Sequence, residues 1–468
     1  MTSPSANLDA VLARVDAALD RSRERLFALL RIPSISAQPA HAEDCRRAAE
    51  SIRDDLVGLG FTASLRPTEG HPVVLAHYAG PSGYTGPHIL FYGHYDVQPV
   101  DPLELWTSPP FDPQLVDGPR GKRFLARGAV DDKGQLTMFI EAMRAWKDAT
   151  GAIPARITVL IEGEEEIGSI NLEPFLKSAK DELHADLALI SDTGMWDVDT
   201  PAVTTRLRGM AYVELTLHAA RRDLHSGLFG GSALNPINAL TRVLGDLKDD
   251  EGRIQIPGFY DNVAPVTNAQ AAEWDAMGFD ERAFLDGIGL RVPAGERGLP
   301  ALQRLWARPT ADINGIWGGY AGPGAKTVIA AEASAKVSFR LVPGQDPEKV
   351  IAGFKQFVAD RVPADARVEW KTFASGPAIE MTSDSPWVRA ARDVLAEEYG
   401  RPAVLMGSGG SIPVVSSLRG VLGLDSLLMG FGLDDDQVHS PNEKFEQVCF
   451  HHGIRAHARL LARLAGGG

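Results

Sequence analysis

The sequence lacks the features that mark membrane-spanning, nucleic-acid-binding and disulfide-rich proteins. Its only two cysteines, Cys45 and Cys449, lie far apart and form no CxxC pair, so we interpret them as reduced thiols, with a single long-range bridge as the alternative. No apolar run approaches the ~20 residues that span a bilayer, and no block of Lys and Arg is present. The first residues show no basic segment followed by an apolar one. We therefore expect a cytoplasmic protein with neither a membrane nor a nucleic acid as its partner.

The amino-acid composition is that of an ordinary globular protein. The 468 residues are 44% hydrophobic and 23% charged, with no low-complexity tract or short repeat. A formal net charge of -14 disfavours binding to nucleic acid or to an anionic membrane surface. Because the chain is longer than one compact core usually accommodates, we expect two domains.

Local patterns predict an α/β fold interrupted by an insertion. Apolar strand-like runs alternate with helical spacings up to about residue 205, which favours a mostly parallel, helix-covered sheet. Two of these runs, Val73–Ala76 and Ile89–Tyr92, are predicted as neighbouring strands. From about Gly209 onward, apolar and polar residues alternate, which is typical of strands with one solvated face. We predict a first domain from residues 1–206 and 379–468, and an inserted antiparallel α+β domain at 207–378.

The segment Tyr92–Asp96 is the first candidate for chemistry. It follows a buried strand, and open α/β sheets place their ligand sites just beyond the carboxyl ends of strands. His94 can bind a metal through one ring nitrogen while Asp96 holds the other N–H group and thereby fixes the tautomer. An ordinary turn is the alternative interpretation of this triplet, so the hypothesis depends on further ligands.

Further acidic and imidazole side chains follow other predicted elements. Asp131 and Asp132 stand at a turn that enters a helix, where helix capping is the alternative to metal binding. Four acids within Glu162–Glu166 follow a β-branched run, and they form either a solvated acidic loop or a site that a cation compensates. Asp192 follows a third strand, and His439 lies in an acidic loop near the end of the chain.

Taken together, these segments resemble a known enzyme family. The likeness is to the co-catalytic dizinc metallopeptidases that include carnosine dipeptidases, aminoacylases, acetylornithine deacetylase and the glutamate-releasing carboxypeptidase, and within them to the cytosolic non-specific dipeptidase branch. The matching segments run through the whole chain in order: Gly93–Pro99, Arg127–Gly134, Glu162–Ser169, Ser191–Asp192, Asp223–Gly227 and His439–Glu443. The resemblance implies a catalytic domain with an inserted lid and dimerisation domain.

The resemblance also implies two divalent metal ions per subunit. His94 and Asp192 would bind one ion, Glu166 and His439 the other, and Asp131 would bridge both. Two dications, three ligand carboxylates and a bridging hydroxide leave the core without net charge, so that a buried site is tolerable. Zinc is the first expectation, with manganese or cobalt as alternatives, because sites of imidazole and carboxylate accept all three.

Catalytic and substrate-binding roles follow from the same resemblance. Glu165 would act as general base toward the dimetal-bridged hydroxide, with Asp96 orienting the histidine ligand. His225 would stabilise the oxyanion across a homodimer, and Arg340 would hold a substrate carboxylate. Two further substrate contacts are implied, Thr327 and Ser411.

One departure from the family pattern leaves the substrate open. The places that usually carry an arginine and often an acid before the Gly-Gly-Ser-Ile-Pro motif are Gly407 and Ser408 here. Our first hypothesis is hydrolysis of dipeptides or small peptides with a free C-terminal carboxylate. The second is an N-acyl-amino-acid deacylase resembling acetylornithine deacetylase or succinyl-diaminopimelate desuccinylase. The third is a non-catalytic metal- or peptide-binding protein on the same fold, which the presence of Glu165 disfavours.

Overall fold

The chain forms two compact units in a computed structural model that describes residues 4–410 and 412–466. The first unit contains the chain up to Thr205, Met381–Met406 and the residues from Pro413 onward. The second contains Arg206–Glu380 and the short segment Gly407–Ile412. The predicted boundaries, 206/207 and 378/379, differ from these by at most two residues, but they did not anticipate that Gly407–Ile412 groups with the insertion.

Helices cover much of the first unit and are short in the middle of the second. The α-helices are α1 Pro4–Leu30, α2 Ala42–Gly58, α3 Lys133–Thr150, α4 Leu172–Ser178, α5 Ser226–Phe229, α6 Pro236–Gly245, α7 Asn268–Ala276, α8 Glu281–Gly287, α9 Ala301–Trp306, α10 Pro347–Ala359, α11 Pro386–Tyr399, α12 Pro413–Ser417 and α13 Gln447–Ala465. Within the described residues, none of these helices combines the length and the apolar character that crossing a membrane requires.

The strands belong to several sheets. They are β1 Thr62–Arg66, β2 Val73–Tyr78, β3 His88–His94, β4 Gln114–Gly118, β5 Gly121–Leu125, β6 Arg156–Glu162, β7 Leu187–Ile190, β8 Ala202–Leu207, β9 Gly209–His218, β10 Leu224–His225, β11 Thr310–Gly318, β12 Val328–Ile329, β13 Glu332–Leu341, β14 Arg367–Gly376, β15 Ile379–Glu380, β16 Val404–Ser408, β17 Ser426–Leu428 and β18 Lys444–Glu446.

The main sheet of the first unit has parallel strands at its centre. Its order is β1-β2-β6-β3-β7-β17-β8, and the pairs β6/β3, β3/β7 and β7/β17 are parallel. The predicted α/β class with a mostly parallel sheet is therefore confirmed. The prediction that β2 and β3 are neighbours is wrong, because β6 lies between them and pairs with both. Strand order depends on long-range packing that adjacent runs of sequence do not reveal.

Apolar side chains on both faces of the sheet hold the first unit together. Every residue of β3 is buried, as expected of a strand covered by helices on each side. Phe91 on β3 stacks on Phe139 of α3 with ring centroids 4.1 Å apart. Helix α3 in turn packs against α1 and α13. This packing places the start of α3 at a fixed position beside the carboxyl end of β3.

The second unit contains an antiparallel sheet with one buried face. The order is β11-β13-β9-β14, and along β9 buried residues alternate with partly exposed ones, as the sequence pattern predicts. Helices α6 and α10 pack against this sheet. The stretch 258–324 is punctuated by Pro and Gly and its sequence predicts no element, yet it contains α7, α8, α9 and β11. These helices have between six and nine residues, which is too short for a clear helical period.

Candidate metal centre

Five predicted ligands of the first unit come together at the carboxyl edge of the parallel strands. His94 is the last residue of β3, and Asp192 follows β7 by two residues. Glu166 lies in a short 3₁₀ turn, Glu165–Ile167, that follows β6. Asp131 directly precedes the turn into α3, and His439 lies in the loop between β17 and β18. The strands thus deliver their polar termini to one edge, where open α/β sheets bind ligands.

The first ligand group contains His94, Asp131 and Asp192. His94 Nε2 lies 3.1 Å from Asp131 Oδ1 and 3.8 Å from Asp192 Oδ2. One ligand atom from each residue lies within 4.8 Å of the others. Nε2 is fully buried, yet it makes no hydrogen bond to any residue that the structure describes. A buried nitrogen that faces two carboxylates without a hydrogen bond fits a metal ligand, since buried polar atoms are otherwise paired.

The second group shares Asp131 with the first. His439 Nε2 lies 3.1 Å from Asp131 Oδ2 and 3.1 Å from Glu166 Oε2. Asp131 therefore turns one carboxylate oxygen toward each histidine. Imidazole nitrogen and carboxylate oxygen are the donors that zinc, manganese and cobalt accept. The donor set, with one carboxylate common to two groups of three ligands, fits a pair of divalent cations.

Clustered charges perturb the titration of these side chains. Burial opposes a charge on His94, but Asp131 and Asp96 together raise its pKa well above the ordinary value. Asp131 and Glu166 raise the pKa of His439 to about 10. Burial raises the pKa of Asp192 to about 7, and nearby Asp131 adds to that rise. The imidazoles thus supply the positive charge that the buried carboxylates need when no cation is bound.

Asp96 faces His94 with both its main chain and its carboxylate, and the carboxylate has a further contact that the sequence does not predict. His94 Nδ1 forms its 3.1 Å hydrogen bond with the main-chain carbonyl of Asp96, and the side-chain Oδ1 is 3.4 Å away. The carboxylate also accepts the backbone N–H groups of Glu165, at 3.2 Å, and of Glu166, at 3.1 Å. The Asp96 main chain thus selects the His94 tautomer, while its side chain fixes the turn that carries Glu165 and Glu166.

Two further side chains, those of Asp132 and Gln98, form hydrogen bonds with metal-site residues that the sequence does not predict. Asp132 stands at the N-cap position of α3, but no described residue of that helix donates a capping hydrogen bond to its side chain. Its Oδ2 accepts the N–H of His94 at 3.1 Å. Gln98, to which no role was given, donates from Nε2 to Glu166 Oε2 at 2.8 Å. Gln98 lies inside the segment that carried the family resemblance, and that was the only available signal.

Glu165 lies beside the ligands, where burial raises the pKa of its carboxyl to about 8. His94 opposes that rise, and Asp192 and Asp131 add to it. A carboxyl group with a pKa near neutrality can both accept and return a proton. The Asp96 carboxylate accepts the backbone N–H groups of both Glu165 and Glu166, and this fixes the position of Glu165 relative to Glu166.

The remaining predicted residues belong to the second unit. His225 ends β10 opposite Val328 of β12, and the N–H of the following residue, Ser226, donates to the carbonyl of Thr327 at 3.1 Å. This sheet therefore brings His225 and Thr327 close together. Arg340 lies on β13, opposite Met210 of β9. The remaining predicted substrate contact, Ser411, lies outside the described residues.

The departure at residue 407 has a steric explanation. A Cβ atom at Gly407 would lie 2.6 Å from Cβ of Trp306, a separation that real side chains essentially never show. Trp306 ends α9 in the same unit and fills the space that a longer residue at 407 would need. Arg208 donates from Nε to the carbonyl of Gly409 at 2.9 Å, so a guanidinium does lie beside this glycine loop.

Known proteins resemble this chain along nearly its whole length. Cys-Gly metallodipeptidase dug1 of Schizosaccharomyces pombe is 30% identical over 475 residues, which cover 98% of this chain and 98% of that protein. Beta-Ala-His dipeptidase of Homo sapiens is 29% identical over 481 residues, covering 99% and 94% of the two chains. The structure of the dipeptidase Dug1p of Saccharomyces cerevisiae matches with a TM-score of 0.83 at 27% identity, and the match covers 100% of both chains.

A family model covers most of the sequence. The model of peptidase family M20/M25/M40 matches residues 90–463, a range that contains every ligand of the candidate metal centre. The chain belongs to peptidase family M20/M25/M40.

Proposed function

We propose that the protein is a metal-dependent hydrolase that cleaves the amide bond of dipeptides and other small peptides with a free C-terminal carboxylate. One observation carries this proposal: Asp131 turns one oxygen to each of two histidines, and Glu165 lies beside a ligand of the second group. The names of its relatives, Cys-Gly metallodipeptidase and Beta-Ala-His dipeptidase, point to the same class of substrate.

The five clustered ligands would hold two divalent ions. His94 and Asp192 would hold one, Glu166 and His439 the other, and Asp131 would contact both. When bound, such ions polarise the substrate carbonyl and lower the pKa of water toward neutrality. Zinc is our first assignment for the cell, with manganese and cobalt as alternatives, because the donor set accepts all three.

Glu165 is the proposed general base. Its carboxylate takes a proton from the attacking water and then delivers it to the nitrogen of the leaving amine. Burial raises the pKa of Glu165 to about 8, so the group needs the positive charge of a filled site to serve as a carboxylate at neutral pH. Asp96 fixes the position of Glu165 relative to the ligand Glu166 by accepting the N–H groups of both residues.

Residues of the second unit would recognise the substrate. Arg340 suits a terminal carboxylate, because the guanidinium donates two parallel hydrogen bonds to it. In a homodimer formed through the inserted domain, His225 would stabilise the oxyanion that develops on a substrate bound to the partner subunit. Thr327 and Ser411 would add substrate contacts. We place this homodimer in the cytoplasm.

A second candidate function is removal of an N-acyl group from an amino acid. The observation that favours it is the glycine at 407, where Trp306 excludes the longer, charged side chain that the family often carries. Without that charge, the substrate pocket would differ in which terminus or side chain of the substrate it recognises. The non-catalytic alternative is disfavoured by Glu165, because a protein that only binds peptides has no use for a general base.

Metal reconstitution followed by a substrate comparison tests the proposal. Metal-free protein is loaded separately with zinc, manganese and cobalt and then assayed on dipeptides, on the same dipeptides with an amidated C-terminus, and on N-acetyl and N-succinyl amino acids. We expect metal-restored cleavage of the free dipeptides and little cleavage of the amides. A preference for the acyl substrates would support the deacylase instead. Metal-loaded protein that cleaves none of these amides would support the non-catalytic alternative.

A further inference from the structure

Glu443 is a buried carboxylate that lies four residues after His439. Its side chain is only 1% exposed, and its two oxygens accept four hydrogen bonds. Oε2 accepts from Arg127 Nη1 at 2.8 Å and from the N–H of Gly128 at 2.9 Å. Oε1 accepts from the N–H groups of Val130, at 3.0 Å, and of Asp131, at 3.1 Å. Every oxygen lone pair of this carboxylate is therefore engaged.

These hydrogen bonds hold the main chain that presents Asp131, the carboxylate shared by both ligand groups. The carbonyl of Glu443 also accepts the N–H of Ala126 at 3.1 Å. Arg127 is itself fixed, since Nη2 donates to the carbonyl of Pro99 at 3.0 Å and its guanidinium lies over the ring of Trp106. The segment that ends at Asp131 is thus attached along its length to one residue of the distant loop that carries His439.

The His439 loop depends on such attachments for its shape. The His439 side chain is 54% exposed, so packing alone does not fix it. Its backbone has a φ of 60°, in the left-handed region that a residue with a Cβ rarely adopts. Asn442 Oδ1 accepts from the N–H of Thr107 at 2.7 Å, which anchors the loop on its other side. Because few contacts hold the ring directly, the separation between His439 and Asp131 is set by the main chain on either side.

We propose that Glu443 is a positioning residue that sets this separation and so determines the affinity of the metal site formed by Asp131, Glu166 and His439. The inference rests on the proposed function, because it requires that these residues bind a metal. A carboxylate is the suitable group, since one oxygen pair can receive four N–H donors without carrying a donor of its own. Outer partners of metal ligands typically change metal affinity by about 10- to 100-fold.

The test compares conservative variants with a matched control. Glu443→Gln replaces one acceptor oxygen by an NH₂ group that would face N–H donors, and Glu443→Asp keeps the charge opposite Arg127 but shortens the reach toward Asp131. Glu398→Gln is the control, because Glu398 is also a buried carboxylate of the first unit, only 2% exposed. It accepts hydrogen bonds from three residues of α13, His452, Arg455 and Arg459.

Zinc affinity is measured by titrating each metal-free protein against a chromogenic chelator, and thermal unfolding establishes that each variant is folded. We expect two zinc ions on the wild type, with at least one of them bound about 10- to 100-fold more weakly in both Glu443 variants. Glu398→Gln should lower the unfolding temperature and leave both zinc affinities unchanged. The aspartate variant decides the matter if the glutamine variant does not fold.

Two outcomes would overturn the inference alone. One is wild-type zinc affinity in a folded Glu443 variant, and the other is an equal loss of affinity in Glu398→Gln, which would indicate general destabilisation. A wild-type protein that binds no zinc, manganese or cobalt would overturn the proposed function together with the inference. The two failures are therefore distinguishable.

Discussion

Loading metal into the metal-free protein should release protons, because the ligands that must bind as neutral imidazoles are charged beforehand. Asp131 and Glu166 raise the pKa of His439 to about 10. His94 also has a pKa raised well above its ordinary value, since its carboxylate neighbours outweigh burial. A cation replaces the proton on each ring nitrogen that it binds.

The expected release is at least two protons per subunit near neutral pH, one from each imidazole. Burial raises the pKa of Asp192 to about 7 and that of Glu165 to about 8, so these two carboxyl groups add further protons when a cation favours their charged forms. Solvent weakens the effect of the carboxylates on His439, whose side chain is 54% exposed, but its direction is unchanged. Because the protonated forms cannot bind metal, affinity falls as pH falls. With at least two protons released, the product of the two dissociation constants should change by at least about 100-fold per pH unit.

Isothermal titration calorimetry in buffers of different ionisation enthalpy measures this release directly. The slope of the observed binding enthalpy against the ionisation enthalpy of the buffer is the number of protons released. His439→Asn should reduce that number by about one, because one charged imidazole is removed. A slope near zero for the wild type would refute the reasoning, since it would show that both rings are neutral before the metal binds.

Three further predictions concern recognition and stability. Arg340→Ala should raise KM by about 10- to 100-fold for free dipeptides and leave KM for dipeptide amides unchanged, because only the former lose a charged hydrogen-bond partner; equal effects on both would contradict the assignment. Burial favours the neutral form of Glu398, but three hydrogen bonds from α13 lower its pKa to about 2. Glu398 therefore contributes about 3 kcal/mol to the free energy of unfolding, a contribution that should be complete above pH 4.5 and be lost as pH falls toward about 2. Glu398→Gln should reduce the pH dependence of the free energy of urea unfolding between these values. An unchanged pH dependence would show that Glu398 is not responsible. Phe139→Ala, which removes the ring stacked on Phe91, should cost about 3 to 5 kcal/mol in chemical unfolding, whereas a cost below about 1 kcal/mol would mean that the cavity refills.

The ends of the central strands could be predicted from local sequence. The predicted run Ile89–Tyr92 lies within β3, and the runs predicted before Glu162–Glu166 and before Asp192 correspond to β6 and β7. Apolar strands buried on both faces are recognisable without their neighbours, so the polar residues that follow them could be assigned to one edge of the sheet. His94, Glu166 and Asp192 are placed there by the structure.

The parts that could not be predicted depend on distant contacts. Glu443 holds Asp131 across 312 positions of sequence, and no local pattern reveals that pairing. The carboxylate of Asp96 lies near the ring of His94, as predicted, but it also accepts N–H groups from a turn 69 and 70 residues further along the chain, which no local pattern indicates. Trp306 explains Gly407 only once both are located in space. The roles of His225, Thr327, Ser411 and Arg340 stay predictions, as do the homodimer and the lid.

The most direct measurement is the activity and metal content of Glu165→Gln beside the wild type. The amide keeps the size of the side chain and removes its ability to accept a proton, while the ligands Asp131, Glu166 and His439 are untouched. We predict full metal content and unchanged unfolding, with kcat for dipeptides lower by about 100- to 10,000-fold. Wild-type kcat in the metal-loaded variant would contradict the claim that Glu165 is the base of a two-metal peptidase.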